Sequence, residues 1–127
     1  MEKKQIKIII SNYLKRLGVS ANLKGCYYLR YAIMILINDR RLISAVTKEL
    51  YPRVAKEFKT TPSRVERNIR NAIERGWERG MMNEQFAKDV FSYGVFHRGK
   101  PTNSEFLAEV ADHIIMTHLE GDTSERM

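Results

Sequence analysis

The stretch "TTPSRVERNIRNAIERGW", residues 60–77, sets Val65, Ile69, Ala72, Ile73 and Trp77 at spacings of three and four. That period marks a helix with one buried face. On a wheel of about 100° per residue, Arg64, Arg67, Asn71 and Glu74 centre on the opposite side, with Arg70 and Ser63 at one flank. A helix docked on a core by Val65, Ile69 and Ile73 therefore presents Arg64, Arg67 and Asn71 outward from its N-terminal half. Its start is signalled twice. Thr61 precedes a proline, which pushes it into the extended conformation of an N-cap and makes Pro62 the first helical residue. Ser63 with Glu66 offers a competing serine-x-x-glutamate capping box. The helix is expected to run to about Arg79 and to stop at Gly80.

Just upstream, Leu50, Tyr51, Val54, Ala55 and Phe58 share one face of a shorter helix over residues 48–58, with Pro52 tolerated in its first turn. "KTTP" (59–62) breaks the pattern. Helix, four-residue turn and helix together have the form of a helix-turn-helix, whose second helix enters the DNA major groove by its N-terminal half. The exposed residue types suit that task. Arginine pairs with guanine O6 and N7, asparagine with adenine, and glutamate accepts from the cytosine amino group. The competing account is a solvated face stitched by i,i+4 pairs such as Arg70–Glu74.

The rest of the chain is helical by the same test. Ile6, Ile9, Ile10, Tyr13, Leu14 and Leu17 define a first amphipathic helix ending at Gly18. "CYYLRYAIMILIN" (26–38) is apolar nearly all round, as a central helix must be. A short helical piece is expected from about Arg41 and another over 83–91, while "SYGVFHRGKP" (92–101) reads as a loop or bend. The last helix begins near "PTNSEF" (101–106), where Thr102 and Glu105 form a second capping box. Amides at that N-terminus, with Arg98 and Lys100 before it and the hydroxyls of Thr102 and Ser104, make a phosphate clamp. An ordinary helix start with basic neighbours is the alternative. The expectation is one all-α domain over residues 1–119 and a polar, disordered tail over 120–127.

Bulk properties narrow the function. A chain of 127 residues can form one continuous core without disulfide or metal support. No apolar run reaches the roughly 18 residues of a membrane span, and no cleavable leader is recognisable. The single cysteine, Cys26, cannot pair within the chain and fits a reducing cytoplasm as a packed thiol. A net charge of +7 and a pI near 9.7 favour a polyanionic partner. Neither a metal nor a catalytic site is expected. His97, His113 and His118 lack ligand spacing, Cys26 has no evident base, and no phosphate-binding glycine loop occurs. No cofactor, membrane or small-molecule substrate is called for.

Four segments in collinear order, "GCYYLRYAI" (25–33), "VTKELYPRVAKEF" (46–58), "TTPSRVERNIRNAIERGWERG" (60–80) and "KPTNSEFLAEVAD" (100–112), resemble the DNA-binding effector domain of the stage-zero sporulation protein A family. The resemblance covers roughly residues 10 to 118. It implies a six-helix all-α fold containing a helix-turn-helix, sequence-specific binding to double-stranded promoter DNA, and a homodimer on tandem sites. By that similarity the helix starting near Pro62 is the recognition helix, and Arg64, Glu66, Arg67 and Arg70 contact bases or adjacent backbone. Asn71 joins them from its place on the wheel. Ser63, Lys100, Thr102, Asn103 and Ser104 form the phosphate-contacting set.

Departures from the family pattern shape the expectation. Family members usually carry a receiver domain before these helices, whereas here Met1 directly precedes them. Phosphorelay control is therefore not carried over, and neither Asp39 nor Asp89 is cast as a phosphoacceptor. Gly76 stands where the family tends to have a better helix former, a cost of about 1 kcal/mol. "MMNEQFAKDVFSYG" (81–94), near where family subunits meet, matches weakly. A second class of function keeps the chain as a protein-interaction module, with Tyr27, Tyr28, Tyr31, Met81 or Met82 on its surface, or as a competitor that modulates a full-length regulator.

Overall fold

A computed structural model describes residues 2–80 and 82–119, and these form only helices and turns. The tail expected over 120–127, and Met81, lie outside the described residues. Helix α1 (Lys3–Arg16) stops where Gly18 takes a positive φ of 85°, and α2 (Lys24–Asn38) follows. Burial of Cys26, Leu29, Ala32, Ile33 and Leu36 agrees with the nearly all-round apolar pattern of α2, and the helix packs against α1, α4 and α7. It is the centre of the core.

The connection from α2 to the helix-turn-helix is tighter than the sequence indicates. A 3-10 turn (Arg40–Ala45) is followed by a π-helical turn (Val46–Leu50), which leads directly into α3 (Tyr51–Glu57). Asp39 opens the 3-10 turn by accepting from the Arg41 amide (3.2 Å) and the Arg41 Nε (3.0 Å). The Arg41 guanidinium holds the Asp39 carboxyl below the usual carboxylate range.

α3 buries Tyr51, Val54 and Ala55, and a short turn leads to α4 (Pro62–Glu78). Lys59 turns the chain with φ 54°, a conformation L-residues seldom adopt. The two possible starts of α4 are resolved in favour of Thr61. Its backbone is extended (φ −110°, ψ 153°), and its hydroxyl accepts from the Arg64 amide at 3.2 Å. Val65, Ile69, Ala72 and Ile73 are buried as the periodicity predicts.

Glycines set how closely α4 approaches its neighbours. A Cβ on Gly25 would lie 2.2 Å from the Asn68 carbonyl oxygen and 2.7 Å from the Ala72 Cβ. One on Gly76 would lie 2.6 Å from the Gly18 carbonyl oxygen. Gly76 is thus more than a weak helix former. Its missing side chain lets α4 lie against the α1–α2 turn.

α5 (Glu84–Val90) and α7 (Asn103–Ile114) match expectation, and a π-helical turn (Ile115–Leu119) prolongs α7. Between them "SYGVFHRGKP" contains a further short helix, α6 (Tyr93–Arg98), so the described residues hold seven α-helices where six were expected. Ser92 starts α6 by accepting from the Val95 amide (3.5 Å). The segment lacks a strong apolar stripe and is fixed by aromatic packing. Phe96 and Phe91 both meet Trp77 at centroid distances near 6 Å (5.9 and 6.0 Å), and Phe91 meets Phe106 at 5.6 Å.

Candidate nucleic-acid interface

The outward half of α4 carries Ser63, Arg64, Arg67, Arg70 and Asn71, all exposed, while Glu66 is half-buried. At about 1.5 Å per residue, this 17-residue helix is about 25 Å long, long enough to cross a major groove. Neither Arg64 nor Arg67 joins an ion pair among the described residues. The Asn68 amide folds back onto the Arg64 carbonyl (2.8 Å), so it belongs to the helix rather than to its outer surface.

Glu66 and Arg70 behave differently. Their side chains form an i,i+4 ion pair at 37% and 50% exposure. Such a pair is worth under about 1 kcal/mol and exchanges readily for another partner. Arg70 therefore does not pair with Glu74, the arrangement suggested by a purely solvated face. Glu74 instead receives Lys100 from the loop before α7.

A second polar contact joins the same segments. Asn103, the first residue of α7, donates its amide to the Tyr51 hydroxyl and to the Glu66 backbone carbonyl, both at 3.1 Å. Burial raises the Tyr51 phenol above its ordinary range, and the Asn103 hydrogen bond opposes that shift. α3, α4 and α7 are thereby pinned at one point. The start of α7 lies against α4 between Glu66 and Glu74, with a cleft of about 360 Å³ bordered by Tyr51, Glu66, Arg70, Lys100 and Thr102.

The Thr102–Glu105 capping box forms in full. The Thr102 hydroxyl accepts from the Glu105 amide (3.2 Å), and the Glu105 carboxylate accepts from the Thr102 amide (2.9 Å). Arg98 also binds Glu105 and, ahead of the backbone hydrogen bond, holds that carboxyl below its ordinary range. Arg98 is consequently engaged inside the clamp. Thr102 and Ser104 are exposed at its mouth, and Asn103 faces inward as a tether.

Tyr51 escaped sequence reasoning as part of this surface, as did the pairing of Glu74, already placed on the exposed face, with Lys100. Tyr51 is apolar in period, so its hydroxyl left no trace in the pattern, and Glu74 reads as a neighbour of Arg70 on the same helix. Of the residues considered for a protein-binding face, Tyr28 is buried, Tyr31 and Met82 are half-buried, and Tyr27 is exposed with Arg30 over its ring (4.7 Å). Cys26 is buried, which raises its thiol pKa. Among the described residues, no three His, Cys, Asp or Glu side chains converge as a metal site would require, and no helix is long and apolar enough to cross a membrane.

Residues 10–114 match the family described as sporulation initiation factor Spo0A C terminal. The match covers most of the chain, and the chain belongs to that family, one of DNA-binding transcription-factor domains rather than enzymes.

Proposed function

We propose that this member of the Spo0A C-terminal family is a sequence-specific regulator of transcription that reads double-stranded promoter DNA with α4 and grips its backbone with the start of α7. One observation carries the reading. Val65, Ile69, Ala72 and Ile73 fix α4 to the core, leaving Arg64 and Arg67 exposed on its N-terminal half and Asn71 exposed at its middle, with the start of α7 tied to the Glu66 carbonyl.

In this reading Arg64 and Arg67 donate to guanine edges and Asn71 pairs with adenine. Arg70 leaves Glu66 for a base or an adjacent phosphate, freeing the Glu66 carboxylate to accept from a cytosine amino group. Ser63 and Lys100 contact phosphates, as do the exposed hydroxyls of Thr102 and Ser104. Asn103 serves that contact by holding the start of α7 against α4. Binding as a homodimer on tandem sites in a bacterial cytoplasm completes the proposal.

The test is selection of duplexes from a random pool by wild type and Arg67→Ala at two salt concentrations. Direct readout predicts an enriched motif that relaxes at one position in the variant, with a loss of about 1–3 kcal/mol. A phosphate-only role for Arg67 predicts uniform weakening and a salt slope lower by about one. Failure of the wild type to enrich any sequence refutes the proposal.

A further inference from the structure

On the far side of α4 from the α7 clamp lies a cleft of about 660 Å³, walled by α1, the turn after it, α2 and the C-terminal turn of α4. Lys15, Arg30, Arg75 and Arg79 line it, and no carboxylate does. Three other clefts each include acidic groups: Asp112 in one, Asp39 and Glu57 in another, and Glu66 and Glu74 in the third. None of the four cations forms an ion pair among the described residues. Four like charges around one concavity repel one another, and an anion in the cleft would relieve that repulsion.

Helix-dipole compensation explains part of this set. Lys15 and Arg75 stand in the last turns of α1 and α4, where a cation complements the carbonyl end. Arg30 sits mid-helix in α2, away from any such field. Its guanidinium lies over the Tyr27 ring (4.7 Å), which holds the side chain but leaves its charge without an anionic partner among the described residues. The cleft wall is also firmly built: Gly76 lies against Gly18, and the Val19 amide is bonded to the Leu14 carbonyl at 2.9 Å. At the rim Ser20 donates to the Asn22 Oδ1 (2.5 Å), which leaves the Asn22 amide nitrogen as a further donor.

We propose that this cleft is a phosphate-binding site. Arginine forks bind phosphoryl oxygens bidentately, and the volume falls within the range of small-molecule sites, on the scale of a mononucleotide. Two sources offer the same chemistry: a free phosphorylated small molecule, and the backbone of duplex DNA flanking the stretch read by α4. Only the second rests on the DNA-reading proposal above.

The experiment titrates the chain with inorganic pyrophosphate, following the backbone amides of Gly18, Val19 and Gly76 by nitrogen-15 NMR. Wild type is compared with Arg30→Gln and with the exposed pair Arg75→Gln/Arg79→Gln, and melting curves check that each variant is folded. In parallel, each protein binds a selected duplex at core length and with extended flanks.

Saturable shifts at the cleft amides, weakened about tenfold or more in both variants, establish a site for free phosphate. Tighter binding of the extended duplex than of the core, lost in the variants while core binding stays intact, identifies backbone phosphate as the occupant. Pyrophosphate shifts confined to the N-terminal half of α4, with no gain from flanking DNA, overturn the proposal. If core DNA is not bound at all, the DNA-reading proposal fails, and the pyrophosphate titration still decides this one.

Discussion

Replacing Gly76 with alanine sets two effects of opposite sign against each other. Alanine favours a helix interior over glycine by about 1 kcal/mol, so an unobstructed position in α4 would gain stability. At this position the new Cβ would lie 2.6 Å from the Gly18 carbonyl oxygen and 2.9 Å from its carbonyl carbon, about 0.8 Å short of ordinary contact for the nearer atom. The obstacle is backbone and cannot swing away. Gly18 is held at φ 85° by the end of α1, with its own amide bonded to the Lys15 carbonyl at 3.1 Å. Relief requires α4 to move from the α1–α2 turn and from the Gly25 contact farther along the same helix. Overpacking of this kind costs typically about 1–3 kcal/mol, and a rigid obstacle places it in the upper half. The net expectation is a loss of about 1–2 kcal/mol, or a melting temperature lower by roughly 3–8 °C for a domain of this size. Gly94→Ala supplies the contrast. No atom lies within 4 Å of its Cβ position, so that variant should gain up to about 1 kcal/mol. Thermal and urea unfolding of both proteins decide the matter. A Gly76→Ala protein more stable than wild type would refute the close-approach argument.

The other predictions concern the contacts that hold the interface together. Asn103→Ala removes hydrogen bonds to Tyr51 and Glu66 and should cost about 1–2 kcal/mol in urea unfolding; DNA affinity should fall with it, because α7 loses its tie to α4. Thr61→Ala should cost about 1 kcal/mol and Ser63→Ala a few tenths, since Thr61 is the residue capping α4; equal losses would contradict that assignment. His113 carries a pH dependence. Burial lowers its pKa from 6.5, and repulsion from His118 adds to this while Asp89 opposes it. Its Nδ1 is hydrogen-bonded to the Tyr13 hydroxyl at 2.6 Å. A base with a depressed folded pKa contributes stability that is fully present above its unfolded value and is lost as pH falls through the folded one. Melting temperature should therefore drop on acidification below about pH 6.5, and His113→Gln should flatten that part of the profile.

Much of this architecture was legible before any coordinates, because the relevant signals are local. Periodicity of three and four placed Val65, Ile69 and Ile73 inward and Arg64 and Arg67 outward, and each follows from neighbours within one helical turn. The all-apolar composition of residues 26–38 required a central helix, and the Thr102–Glu105 capping box was complete in sequence. Where local signals were weak, the reading was weaker. α6 has few apolar positions of its own and is shaped by Trp77, which is distant in sequence. The π-helical turn before α3 has no local marker.

The main helices, and which way the α4 arginines face, were determined by the sequence by itself; α6 was not. The tertiary structure alone decided how those helices register. Lys100 lies 26 residues from Glu74, and Asn103 lies 37 from Glu66 and 52 from Tyr51. No period of 3.6 residues encodes such pairings. The same is true of Gly76, which is a poor helix former by intrinsic preference and a close-packing residue only once Gly18 is brought against it. The physical reason is common to both. Backbone preference and side-chain periodicity act over a single turn, whereas the partner of an amide, a carboxylate or a missing Cβ is set by helices that approach only when the core closes.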